Sequence, residues 1–561
     1  MFPYPRNPSL NFFTFLHNTQ MDSKKQPSWL QDAIIYEVYP QSFRDTNGDG
    51  IGDLPGVIEK LDHIASLGCN TIWLNPCFES PFKDAGYDVS DFCQIAPRYG
   101  TQDDIVRLFN EAHRRGIKVV LDLVAGHTSD QHPWFQASSR HDRNSYSDYY
   151  VWTPTVWHSP EGIPVIRGVS ERNAGYVPNF FAFQPALNYG YADPSPEHPW
   201  QQPPTAPGPQ AVKRELLAIM QFWLDLGCDG FRVDMASSLI KGTGEKKTAA
   251  MRVFWQEIRA WFDSAWPEAV LISEWSKPSD ALAAGFHVDF LIHFESPAYN
   301  SLFRAEHGFG EPVPGRRSFF STDGGGDISI FLETYEKEYA ATRDLGYISL
   351  PTGNHDLIPR LAEGRSEDEL RVALAFLFTM PGIPIIYQGD EIGMRFVHDL
   401  PSKEGGFERT GLRSPMQWNG SAGVGFSDAP EASFYIPLDP DPARPTVSEQ
   451  EGRANSLIHF VRMLTRLRKE HPALGADGKY HTVHFEARKC PYVYERSLNG
   501  ARFLIAINPA ATPTQVEIKT SPSATVNMIL GQHSRVEANS GRITIRLDGA
   551  GFAILKTDGQ P

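Results

Sequence analysis

Eight short apolar runs, each followed by a stretch whose hydrophobic residues recur at helical spacing, constrain this chain more than any other feature. From about Ala33 onward they read AIIYEVYP, NTIWLNP, KVVLDLVAGH, DGFRVDM, AVLISEW, HVDFLIHF, YISLPTGNHD and PIIYQGDEIG. Strand-like runs alternating with amphipathic helices mark repeated βα units around a parallel sheet. Eight units fit a closed barrel better than an open doubly wound sheet. The intervening helices carry their own start and stop signals. Residues 101–116 place Thr101 and Asp104 at capping-box spacing, line up Ile105, Leu108, Phe109 and Ala112, and stop at Gly116. Residues 366–380 repeat the pattern with Ser366 and Glu369, followed by a stop at Pro381 and Gly382.

Two regions break the alternation. About eighty residues between the third and fourth runs are rich in Pro, Trp, Tyr and Asn with little helical period, too long for a plain loop, and so predict an inserted subdomain. After SLIHFVRMLTRLRKEHPAL, two strand-like runs flank Asn499-Gly500, a strong hairpin signal, and further β-like runs continue to Leu555. The expected architecture is α/β: a (β/α)8 TIM barrel over 29–127 and 213–475, an inserted subdomain over 128–212, and a C-terminal antiparallel β-sandwich domain over 476–561. Residues 1–28 read as a disordered leader, too short and polar in NFFTFLHNTQ for a signal-peptide core.

Composition narrows the function classes. With 52 Lys and Arg against 67 Asp and Glu, the net charge of -15 offers no basic face for nucleic acid. No apolar run is long enough to cross a bilayer, so no membrane partner is expected. Five cysteines, an odd number without C-x-x-C spacing, suit a reduced, cytoplasmic setting.

In a barrel of this kind, polar residues at the carboxyl ends of the strands face one pocket. The third run ends in Asp122 and His127, the fourth in Arg232 and Asp234, the fifth in Glu274 and Trp275, and the seventh in Asn354, His355 and Asp356. Carboxylates on several strand ends, with neither a cysteine nucleophile nor a phosphate loop, point to glycoside cleavage. Arg232 beside Asp234 is expected to keep that acid ionised as the nucleophile. Glu274, flanked by Ile272 and Trp275, is expected to lie in an apolar niche and stay protonated as the general acid.

Four separately placed motifs, DLVAGHTSD, GFRVDMA, ISEW and TGNHD, make the chain resemble glycoside hydrolase family 13, the α-amylase family, in its α-glucosidase and oligo-1,6-glucosidase branch. The resemblance implies a nucleophile at Asp234, a general acid/base at Glu274 and a transition-state stabiliser at Asp356. It places Tyr87, Asp122, His127, Arg232 and His355 in one glucose subsite, with Tyr87 stacking on the sugar. Asp84 and Arg413 match a pair that closes the pocket floor in exo-acting relatives. The loop DTNGDGIGD supplies Asp45, Asn47, Asp49, Asp53 and the Ile51 carbonyl to a structural Ca²⁺ or Mg²⁺, as relatives do; it lacks the closing Glu of an EF-hand, since Gly56 stands there. No organic cofactor is implied. Two departures stand out: Gly126 replaces the usual Asn before His127, so no second calcium site is expected, and Met235 follows the nucleophile where relatives track linkage preference. The activity implied is a retaining exo-α-glucosidase on small α-glucosides such as maltose, isomaltose or sucrose, in a monomer or homodimer. A transglucosylase or sucrose isomerase is the alternative, and a non-catalytic relative a remote one.

Overall fold

A computed structural model describes residues 26–291, 297–306, 315–539 and 541–558. The expected leader, up to residue 25, lies outside the described residues. Each of the eight apolar runs contributes one barrel strand: β1 (Ile35–Val38), β2 (Thr71–Leu74), β3 (Lys118–Leu123), β4 (Gly230–Val233), β5 (Val270–Ser273), β6 (Val288–Phe290), β7 (Tyr347–Ser349) and β8 (Ile385–Tyr387). The order is β8-β1-β2-β3-β4-β5-β6-β7 with every pairing parallel, and a parallel bridge from Pro351 to Ile385 joins the two ends. The strands are shorter than their apolar runs, because the last residues of each run leave the ladder as the loops that carry the polar groups. Ile292–Phe294, the end of the sixth run, lie outside the described residues.

Helices cover the barrel as their apolar faces require. α1 (Gln102–Arg114) has the reciprocal Thr101/Asp104 capping box and buries Ile105, Leu108, Phe109 and Ala112. α2 (Pro207–Asp225), α3 (Gly244–Ala265) and α4 (Ser329–Thr342) follow. α5 (Glu367–Thr379) is boxed by Ser366 and Glu369 and ends before Gly382, where a Cβ would lie 1.8 Å from the Ile348 carbonyl. The amphipathic α6 (Leu457–Glu470) closes the barrel region.

The segment between β3 and α2 holds one short helix, Pro133–Ser138, and otherwise isolated bridges such as Trp152↔Tyr176. Its small core is aromatic: Phe135 stacks on Trp152 at 5.7 Å and meets Tyr150 and Tyr176 edge-on. A bridge from Tyr191 to Lys241 stitches it to the segment after β4.

Beyond α6 come β9 (Lys479–Glu486), β10 (Lys489–Leu498), β11 (Ala501–Asn508), β12 (Thr514–Lys519), β13 (Thr525–Asn539) and β14 (Arg542–Asp558), all antiparallel. Asn499 and Gly500 sit at φ 50° and 84°, the left-handed pair that a two-residue hairpin demands. The first half of β14 pairs with β12 and the second with β11. Val516, Ile543 and Ile545 on one half and Leu504, Ala553 and Leu555 on the other share one core, which makes this a two-layered β domain.

Candidate active site

In-register parallel pairing sets Asp122 of β3 beside Arg232 of β4, and Arg232 beside Ile272 of β5. Arg232 and Asp234 share a face two residues apart. The guanidinium is 1% exposed and reaches three acids from three strand ends: Asp122 Oδ1 at 2.8 Å, Asp234 Oδ1 at 3.1 Å and Glu274 Oε2 at 2.8 Å. Trp73 lies under it at 5.0 Å. Met235, turned into the left-handed region at φ 43°, donates its backbone N–H to the same Glu274 oxygen at 2.9 Å.

The sequence expectation is that Arg232 keeps Asp234 ionised while Glu274 occupies an apolar niche; instead one guanidinium is shared by three acids, Glu274 among them. Burial and the adjacent Glu274 carboxyl raise Asp234 well above the carboxylate range, against the pull of Arg232. Burial raises Glu274 too, with Arg232 and the Met235 N–H opposing it. One cation among three buried acids leaves excess negative charge, which a proton held between Asp234 and Glu274 relieves.

Asp356, at the end of β7, has the opposite environment. Arg413 Nη2 and Arg409 Nη1 both donate to its Oδ1, at 2.8 and 2.9 Å. Burial acts to raise this acid, but its basic neighbours prevail and hold it well below the usual range. His355 adds no charge near neutrality, since burial pushes its imidazolium down to about 3, so the two arginines supply the field. Arg409 was not singled out in the sequence; its only signal is a second Arg four residues before Arg413 in ERTGLR.

The expected Asp84–Arg413 pair is rearranged. Arg413 is spent on Asp356 and the His355 carbonyl, whereas Asp84 meets Arg409 at 3.9 Å and accepts from Gln184 Nε2 at 2.7 Å. Burial pushes Asp84 up to about 6, with Arg409 and Gln184 pulling it back. Gln184 lies in FQPALNYG, so the inserted segment delivers a glutamine to the site.

Tyr87 stacks on the ring of His355 at 5.4 Å, and its hydroxyl contacts both Asp122 Oδ2 at 2.9 Å and His355 Nε2 at 2.7 Å. His127 contacts the Tyr87 carbonyl through Nε2 at 3.0 Å and the Asn179 amide through Nδ1 at 3.1 Å. Burial lowers His127 to about 4, so near neutrality the ring is uncharged, with the proton on Nε2 facing that carbonyl.

The Asp45–Asp53 loop stands apart. Asp45 accepts from the N–H groups of Asn47, Gly48 and Gly50 and from Ser427 Oγ, and Asp49 accepts from Ile51 N–H. Asp53 spends its oxygens on Thr46 and on Gly56 N–H as the cap of the helix Leu54–Glu59. Among the described residues no three acidic, His or Cys side chains converge on a cation position. Asp45, Asn47, Asp49 and Asp53 lie along one turn, with Ile51 between the last two.

The family model described as alpha amylase, catalytic domain, matches residues 37–477. A trehalose synthase/amylase from Mycobacterium tuberculosis is 33% identical over 497 residues, covering 81% of this chain and 77% of that protein. An oligo-1,6-glucosidase from Parageobacillus thermoglucosidasius is 30% identical over 535 residues, covering 86% of this chain and 90% of that protein. Among solved structures, the trehalulose synthase from Pseudomonas mesoacidophila aligns with a TM-score of 0.75 at 26% identity over 94% of this chain and 99% of that one.

Proposed function

This chain belongs to the alpha-amylase family of glucoside-hydrolysing and glucosyl-transferring enzymes, and from that premise we propose that it is a retaining, exo-acting α-glucosidase on short α-glucosides. The observation that carries this reading is the gathering of Asp122, Asp234 and Glu274 from three strand ends on one buried guanidinium. Two carboxyls held on one guanidinium suit retention, because inversion needs a wider gap that admits water.

In the first half-reaction Glu274 gives its proton to the glycosidic oxygen as Asp234 attacks the anomeric carbon. The glycosidic bond breaks and a glucosyl ester forms on Asp234. In the second, water gives its proton to Glu274 while its oxygen displaces Asp234, releasing α-glucose. Asp356, kept ionised by Arg409 and Arg413, grips sugar hydroxyls as positive charge develops at the ring. Asp84, with Gln184 and Arg409, closes the glucose pocket at the non-reducing end, which supports attack on chain ends.

A second reading is transfer of the glucosyl group to a sugar hydroxyl in place of water. It is favoured by the trehalose synthase/amylase relative and by a solved relative, 25% identical with a TM-score of 0.75, whose description names sucrose as its substrate. Incubation with maltose, isomaltose, sucrose, trehalose and starch, followed by NMR of the products, separates the two. Free glucose first appearing as the α-anomer supports hydrolysis with retention, β-glucose refutes retention, and a rearranged disaccharide selects transfer. Asp234→Asn is expected to lower turnover by at least about 10⁴-fold, and undiminished activity would sink the assignment.

A structural Ca²⁺ or Mg²⁺ held by Asp45, Asn47, Asp49, Asp53 and the Ile51 carbonyl is the proposed occupant of the 45–53 loop. It predicts a melting temperature that falls with EDTA and recovers with Ca²⁺; an unchanged melting curve rejects it.

A further inference from the structure

The hydrogen bonds beneath the site have a determinable direction, and following it assigns a role to a residue with no part in the chemistry above. Asp122 lies on Arg232 through Oδ1 and accepts through Oδ2 from Trp73 Nε1–H at 3.1 Å and from the Tyr87 hydroxyl at 2.9 Å. A hydroxyl has one hydrogen. Tyr87 spends it on the carboxylate, so in the 2.7 Å contact between Tyr87 and His355 Nε2 the imidazole is the donor. Its 3.4 Å approach to Asp356 Oδ2 agrees, since that carboxylate also calls for a donor. His355 is buried and neutral, so a proton on Nε2 leaves Nδ1 as a bare lone pair.

Two groups face that lone pair: the amide nitrogen of Asn75 at 3.1 Å and Oε1 of Glu37, on β1, at 2.7 Å. A carboxylate oxygen at that distance from a lone pair would be repelled, whereas a carboxylic O–H would bond to it. We propose that Glu37 sits below the site as an un-ionised acid whose O–H donates to His355 Nδ1, making it a positioning residue. It fixes the Nε2–H tautomer and the one-way chain Glu37 to His355 to Tyr87 to Asp122, which ends on Arg232. The surroundings of Glu37 agree. The residue is 0% exposed, its Oε2 finds no hydrogen-bond partner among the described residues, and burial pushes its carboxyl well upward. An ionised carboxylate with one oxygen bare in the interior would be costly; the neutral acid is not. Without this donor only the longer Asn75 contact is left on Nδ1, which weakens the hold on the Nε2–H tautomer, and each shift of the proton to Nδ1 would turn the Tyr87 hydroxyl from Asp122 to the vacated Nε2.

The role in turnover rests on the function proposed above, but the tautomer does not, and the test reads both. Full-length protein with ¹⁵N-labelled histidine is examined by long-range ¹H–¹⁵N correlation, with the His355→Gln variant identifying the signal. The expected pattern is a neutral Nε2–H imidazole between about pH 6 and 8. Glu37→Gln should preserve it, because an amide N–H replaces the acid O–H as donor, and should keep kcat within about threefold. Glu37→Leu should lose the pattern and lower kcat roughly tenfold with a smaller change in KM. An Nδ1–H or doubly protonated His355 in the wild type, or an unchanged tautomer in Glu37→Leu, overturns the proposal. A wild type that cleaves none of the five sugars but shows the Nε2–H signal, lost in Glu37→Leu, would reject the function while upholding the chain.

Discussion

In the proposed function, Asp84 is the side chain whose titration bears most directly on substrate binding, because burial pushes it up to about 6 from the ordinary 3.8. The acid form binds its proton more tightly in the folded protein than in the unfolded chain, so ionising it as pH rises from about 4 to 6 costs stability. Binding runs the other way. If the carboxylate grips the terminal glucose, KM should climb as pH falls through about 6, approaching tenfold per unit, and Asp84→Asn should remove that limb while raising KM at neutral pH. A KM indifferent to pH between about 5 and 7 in the wild type would contradict the assignment. Arg409 is tested alongside it. Removing one of the two guanidiniums on Asp356 in Arg409→Ala should lower kcat/KM by about 10- to 100-fold, and Arg409→Lys should recover only part, since an ammonium lacks the fork that spans Asp356 and Asp84.

The elements most legible in the sequence are those whose local signals agree with their surroundings. The eight barrel strands, the boxed helices α1 and α5 and the Asn499-Gly500 hairpin each carry an apolar run or a turn pair that means the same thing locally and globally. Strand ends likewise announced Asp122, Arg232, Asp234, Glu274 and Asp356. Which acid a given arginine meets was not legible, because Arg409 and Arg413 lie one short helical turn apart and the choice between Asp84 and Asp356 depends on distances of an ångström. The inserted segment was legible only as an interruption, its aromatic core having no period. One of its contacts with the barrel lies at Gly126, where a Cβ would lie 2.8 Å from Asn179 Nδ2 and 3.1 Å from Ser238 Oγ. That space lets Asn179 bond His127 while accepting from Lys241 Nζ at 3.1 Å. In Gly126→Ala the obstacle is the end of a side chain, which can move, so the expected stability loss is only about 1 kcal/mol; KM, however, should rise severalfold as His127 loses its tie. Gly230→Ala makes the contrast: at φ 144° with the Val270 carbonyl oxygen 2.2 Å from the new carbon, backbone must shift within β4 itself, and the soluble yield should collapse.

At the scale of the whole molecule, the C-terminal domain backs the helix that returns the chain from the Asp356 loop to β8. Tyr494 meets Phe376 of α5 at 6.1 Å, Phe552 meets Phe460 of α6 at 5.8 Å, and these rings belong to the same continuous core as the barrel strands. Two buried arginines seal the junction through main-chain carbonyls. Arg468 donates to Phe378, Met380 and Leu474, and Arg496 to Thr379, Gly475 and Gly478. A shared core with buried cations whose acceptors come from both sides should not come apart in stages, because opening the junction strands guanidiniums and carbonyls together. Calorimetry is therefore expected to give one transition, with calorimetric and van't Hoff enthalpies in agreement. Arg496→Met should lower the melting temperature of that single transition, removing about 3 kcal/mol or more, without splitting it. Chains ending near residue 476 should fail to yield soluble barrel. Two resolved transitions in the wild type, or an active truncated barrel, would show that the β domain is an appendage and that the Asp356 loop is held by the barrel alone.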